Sequence, residues 1–101
     1  MSDGRPHIIR IVVEGRVQGV GFRAFVVREA LRLDLVGWVR NRRTGGVETV
    51  AAGSTGAVSA FAAIVERGPP GARVDDIRLE QVGEDALNIS SQPGFFVMPD
   101  A

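Results

Sequence analysis

The chain has 101 residues, 45% hydrophobic and 24% charged, the proportions of one ordinary globular domain with a single core. Twelve basic residues oppose twelve carboxylates, so no global field favours nucleic acid or an anionic membrane. Cysteine and lysine are absent and histidine occurs once, which excludes disulfides, thiolate chemistry, a Walker-type phosphate loop, a Schiff base and any metal site or serine triad needing more than His7.

Arg5 and His7 lead into no long apolar stretch with a cleavage site, and no apolar run approaches the roughly 20 residues of a membrane helix. The expectation is a cytoplasmic monomer, one domain over 1–101 with its core from about 7 to 98. Residues 7–14 (H-I-I-R-I-V-V-E) alternate, with Ile9, Ile11 and Val13 on one face and Ile8, Arg10, Val12 and Glu14 on the other, the period of a strand. Over 22–34, Phe22, Phe25, Val26, Ala30 and Leu33 fall in one helical stripe. Leu35 to Asn41 reads as extended, Arg42-Arg43-Thr44-Gly45-Gly46 as a turn, and Val47 to Ala52 as the return strand of a hairpin.

Ser54 or Thr55 is positioned to cap a second helix whose stripe is Ala57, Val58, Phe61, Ile64 and Val65. Gly68-Pro69-Pro70 stops it. Val74 to Val82 reads as a fourth strand, with Asp75 and Asp76 weakening its start. Residues 83–94 are polar and read as loop, and Gly94 to Met98 as a short edge strand. The order β-α-β-β-α-β plus that extra strand predicts a ferredoxin-like α+β sandwich. Its sheet is expected to be antiparallel, with both helices on one face because each stripe is one-sided.

Between the first strand and the first helix runs E-G-R-V-Q-G-V-G-F-R, residues 14–23, with glycines at 15, 19 and 21. Glycine takes φ > 0 at little cost, so successive N–H groups can converge in one concavity. A helix start beside them adds unpaired donors and a partial positive charge. Such an arrangement holds an oxyanion, and Arg23 would add the full charge and forked geometry that phosphate prefers. Cations are favoured at the opposite end of a helix, so an arginine in the first turn is locally uphill and points to a negatively charged partner. The spacing is not that of the dinucleotide fingerprint.

Asn41, at the end of the second strand, is either a turn-forming asparagine or a neutral amide that fixes a water or a phosphate oxygen. Other residues read as structural. Trp38 is a packing residue, Arg40, Arg42 and Arg43 belong to a solvated hairpin, and one of Phe95 and Phe96 faces the core. Glu14 could act as a base, although a carboxylate at a strand end is more often solvated or paired with arginine.

Three segments then carry a family resemblance: G-R-V-Q-G-V-G-F-R at 15–23, G-W-V-R-N at 37–41 and G-P-P-G-A-R-V-D at 68–75. Over about Ile9 to Val82 the chain resembles bacterial acylphosphatases. The resemblance implies the same sandwich with an added edge strand. It also implies hydrolysis of acyl phosphates to a carboxylate and inorganic phosphate, with no metal and no cofactor. Arg23 matches the family's phosphate-binding arginine, the backbone of Arg16, Val17, Gln18, Gly19, Val20 and Gly21 its phosphate cradle, and Asn41 the asparagine that orients the attacking water. The implied partners are a small-molecule acyl phosphate and inorganic phosphate, with no nucleic acid and no membrane. The ending Phe95-Phe96-Val97-Met98-Pro99-Asp100-Ala101 departs from relatives that carry a basic residue near the end of the last strand.

Two other classes share part of this pattern. An RRM-like RNA-binding module has the same sandwich, and Gly21 to Val26 faintly echoes its aromatic signature, but here that segment opens a helix instead of lying on a strand. A non-catalytic acylphosphatase-like domain, as in a hydrogenase maturation factor that handles carbamoyl phosphate, would instead be expected to sit beside a partner domain.

Overall fold

The computed structural model describes residues 6–87 and 94–101. In chain order the elements are β1 (His7–Arg16), α1 (Phe22–Arg32), β2 (Val36–Asn41), β3 (Val47–Gly53), α2 (Thr55–Arg67), β4 (Arg73–Gln81), a 3-10 turn (Glu84–Leu87) and β5 (Phe95–Val97). The turn falls within the stretch read as loop. Residues 88–93 of that stretch lie outside the described residues, as does Arg5.

Strand order across the sheet is β4-β1-β3-β2-β5. Four strands pair antiparallel as expected, through β1–β3, β1–β4 and β2–β3. The fifth corrects the expectation of a wholly antiparallel sheet, because β5 runs parallel to β2 with Gly37, Trp38 and Val39 opposite Phe95, Phe96 and Val97. The physical reason lies in the return path. After β4 the chain turns back over Trp38, whose indole Nε1 donates to the Ala86 carbonyl at 2.8 Å. It then enters the sheet beside Gly37, whose N–H donates to the Gly94 carbonyl at 3.0 Å. Entering at the end where β2 begins, β5 can only run alongside it.

Both helices lie on one face, as their one-sided stripes require. Ile9, Ile11 and Val13 of β1 meet Phe22, Val26 and Ala30 of α1 and Val58, Phe61 and Val65 of α2 in the main core. Phe95 turns inward to meet Phe61 edge-to-face, with centroids 6.0 Å apart. Emptying a fully buried site such as Phe61 by substitution with alanine typically costs about 3–5 kcal/mol. Ile8, Trp38, Val50, Ala52 and Leu87 form a second cluster on the other face, roofed by the 3-10 turn.

The helix ends explain where the elements stop. Asp34 takes φ 63°, and its N–H and that of Leu35 donate to the Leu31 and Ala30 carbonyls at 3.1 and 2.9 Å. This closes α1 with a Schellman-type pair, aspartate being one of the few side chains that tolerate the left-handed region. Ser54 caps α2, its hydroxyl accepting from the Ala57 N–H at 3.2 Å. Gly68, at φ 70°, and Pro69 end it.

Candidate functional site

Near the end of β1 its register with β4 shifts between Glu14 and Gly15, which lie opposite Asp76 and Val74 and leave Asp75 of β4 without an opposite residue. Gly15 has φ 135°, and a Cβ there would collide with the Arg73 carbonyl of β4, so both conformation and space demand glycine. Gly19 and Gly21 take φ 73° and 78°, yet a Cβ on either would meet nothing within 4 Å. Backbone conformation alone selects glycine at these two positions.

Gly21 is also the N-cap of α1, and among the described residues no side chain caps that helix start. The first intrahelical bond is Phe25 N–H to the Gly21 carbonyl at 3.0 Å, so the N–H groups of the first turn have no partner within the helix. No acidic residue occupies that turn, and Arg23 stands in it.

Arg23 and Asn41 line one cavity of about 430 Å³, together with Val17, Gln18, Gly19 and Gly21, and with Phe22, Ala24 and Val97. Asn41 ends β2 opposite Val47, on the helix-covered side that Val39 also faces. Among the described residues its carboxamide has no hydrogen-bond partner, while its backbone carbonyl accepts from the Ala101 N–H at 3.0 Å. The cavity therefore brings together Val17, Gln18, Gly19, Gly21, Arg23 and Asn41. Arg16 instead ends β1 exposed, opposite Arg73, and Val20 packs half-buried against the main core; neither lines the cavity.

Two features here were not legible in the sequence. One is the Gln18 side chain, whose Nε2 donates to the Arg42 and Gly46 carbonyls at 2.8 and 2.9 Å, 24 and 28 residues further on. The other is Asp100, whose carboxylate lies 3.5 Å from Arg23 Nη1 with both side chains about half exposed. The segment after β5 reaches the site because it continues to pair with β2. The Met98 N–H donates to the Val39 carbonyl at 2.9 Å, and the Arg43 N–H donates to the Ala101 carbonyl at 2.6 Å. A carboxylate beside an arginine has no sequence pattern when the two are joined only through the sheet.

A larger groove, about 650 Å³, lies on the open sheet face between Arg10, Val12, Glu14, Arg42, Thr44, Glu48, Arg78, Leu79 and Glu80. Its charges largely satisfy one another. Glu48, with its side chain 9% exposed, lies 3.0 Å from Arg10 Nε and 2.9 Å from Arg40 Nη2, and Arg10 also meets Glu80 at 2.9 Å. Arg40 in turn stacks 4.8 Å above the Trp38 ring. Glu14 belongs to this groove and not to the Arg23 cavity, which removes it as a base for anything bound there.

The Acylphosphatase family model matches residues 9–90. An acylphosphatase of Bradyrhizobium diazoefficiens is 46% identical over 82 residues, which is 81% of this chain and 83% of that protein. The crystal structure of acylphosphatase from Bacillus subtilis superposes with a TM-score of 0.81 at 39% identity, covering 91% of this chain and 98% of that one. Full-length HypF, solved in a phosphate- and nucleotide-bound form, superposes with a TM-score of 0.81 at 26% identity, over 95% of this chain but only 12% of HypF. With the glycine-built loop, the uncapped helix start, Arg23 and Asn41 gathered in one cavity of this fold, the chain belongs to the acylphosphatase family.

Proposed function

We propose that the protein hydrolyses acyl phosphates to a carboxylate and inorganic phosphate without metal or cofactor, in the cytoplasm and as a monomer. The observation that carries this reading is the composition of the Arg23 cavity: backbone donors on a left-handed glycine loop, one arginine, and one carboxamide that has no hydrogen-bond partner among the described residues. The phosphoryl oxygens rest on the N–H groups that the loop from Val17 to Gly21 and the first turn of α1 turn toward the cavity, with Arg23 supplying the charge. Asn41 holds a water against the phosphorus.

The chemistry needs little more. An acyl phosphate is a mixed anhydride, and its leaving group is a carboxylate of pKa about 4, which departs without a general acid. Water oxygen bonds to phosphorus, the phosphorus–acyl oxygen bond breaks with its electron pair leaving on the carboxylate, and the water's proton passes to a phosphoryl oxygen. The transition state is loose, with charge spread over those oxygens, so positioning and fixed dipoles supply most of the acceleration. A histidine has no necessary part in such a site.

A second reading, a carbamoyl-phosphate-handling or non-catalytic domain, draws on the likeness to HypF. Comparing benzoyl phosphate with carbamoyl phosphate as substrates separates the two. RNA binding has no comparable support, since among the described residues the exposed large apolar side chains are Leu31, Leu79 and Val97, none of them aromatic.

The test is phosphate release from benzoyl phosphate with a chelator present, wild type beside Arg23→Ala. Turnover that survives the chelator and falls roughly 10²–10³-fold in the variant is expected. Metal-dependent turnover, or an Arg23→Ala variant as fast as wild type, overturns the reading.

A further inference from the structure

The Arg23 cavity is assembled from two parts of the chain: the loop from Val17 to Gly21 with the start of α1, and the Asn41 end of β2. Among the described residues no backbone hydrogen bond joins that loop to the β2–β3 hairpin. The Gln18 side chain does. Its Nε2 donates to the Arg42 carbonyl at 2.8 Å and the Gly46 carbonyl at 2.9 Å.

Those two carbonyls already close the hairpin turn. Gly46 O accepts from the Arg42 N–H at 2.8 Å, and Arg42 O from the Gly45 N–H at 3.0 Å. A carbonyl oxygen has two lone pairs, so with Gln18 both acceptors are saturated. Both N–H bonds of the Gln18 amide are likewise spent, which leaves it none to offer a phosphoryl oxygen. Two acceptors also fix its orientation, because the amide oxygen in that place would face two oxygens.

We propose that Gln18 is a positioning residue. Its carboxamide locks the phosphate cradle to the turn that begins immediately after Asn41, and so sets the line from the held water to the phosphorus. This rests on the acyl-phosphate reading above. Misplacement by about 1 Å typically costs on the order of 10²-fold in such reactions. Gln18 therefore acts on the rate of attack and not on the binding of phosphate, which the loop backbone and Arg23 accomplish together.

The experiment compares wild type, Gln18→Met, Gln18→Glu, Asn41→Ala and Gln18→Met combined with Asn41→Ala. The readouts are benzoyl-phosphate kinetics, competitive inhibition by inorganic phosphate and melting temperature. Gln18→Met keeps the length and loses the donors, so kcat is expected to fall about 10- to 100-fold while the phosphate inhibition constant stays within about twofold. Gln18→Glu is expected to be slower still, since a carboxylate there faces two carbonyls. In the Asn41→Ala background, where no held water remains to be aligned, Gln18→Met should cost less than about twofold more.

Losses that multiply in the double variant overturn the proposal, as does weaker phosphate inhibition at unchanged kcat, which would make the side chain a phosphate ligand. Gln18→Glu matching wild type overturns it as well. If Gln18→Glu does not fold, Gln18→Met and the double variant still decide. A wild type that releases no phosphate from benzoyl phosphate overturns the activity reading along with this one, whereas an active wild type with multiplying losses overturns the role of Gln18 alone.

Discussion

The two helices of this molecule begin in opposite ways. Helix α2 starts on Ser54, whose hydroxyl takes up the Ala57 N–H, in ordinary extended backbone at φ −64°. Helix α1 starts on Gly21 in the left-handed region, with no capping side chain among the described residues and with an arginine where the helix field disfavours one. Both helices pack on the same core, so packing does not account for the difference. The closed start serves stability. On the proposed acyl-phosphate reading, the open start keeps donors and charge available for an anion, at a local cost to the helix.

That contrast can be broken most directly at Arg23. Arg23→Ala should lower kcat/KM for benzoyl phosphate by roughly 10²–10³-fold. It should leave the melting temperature unchanged or higher, because removing a cation from a helix start relieves about 0.3–1 kcal/mol. A fall in both quantities would mean that Arg23 supports the fold, and the distinction between the helix starts would be lost. Asn41→Ala comes next, with kcat reduced on the order of 10²-fold and phosphate inhibition nearly retained. Loss of phosphate binding in that variant would reassign Asn41 to the cradle.

Ser54→Ala tests the other helix. Loss of the cap should cost about 1 kcal/mol, lowering the melting temperature by about 4–8 °C with kcat/KM unchanged. An activity loss at a temperature where the variant is fully folded would contradict the assignment of α2 to stability alone. The smallest effect is expected at Asp100. Its pair with Arg23 is half exposed and 3.5 Å long, so Asp100→Asn should tighten inhibition by inorganic phosphate only about two- to fivefold. Weaker inhibition would instead make Asp100 a support for Arg23.

What the sequence made legible follows the range of each interaction. The inward set Ile9, Ile11 and Val13 was readable because strand alternation is local, and so were the α2 cap and its Gly68-Pro69 stop. The positive-φ backbone at Gly15, Gly19 and Gly21 was readable because that conformation has a local chemical signature, glycine. The parallel placement of β5, the Gln18 bonds and the approach of Asp100 were not, since each depends on which distant segment the sheet brings alongside. Pairing Arg23 with Asn41 drew on family resemblance; their shared cavity supplies the geometric reason.

The single tryptophan occupies an unusual vantage in this arrangement. Trp38 lies opposite Phe96 of β5 and bonds to Ala86 of the 3-10 turn, away from the helix-covered core. Its fluorescence will therefore follow the docking of the last segment of chain, the same segment that brings Asp100 to Arg23. Pairing between strands so distant in sequence is slow to form. In a refolding experiment the change in the tryptophan signal should thus report closure of this sheet edge, giving a probe for the completion of the site that needs no added label.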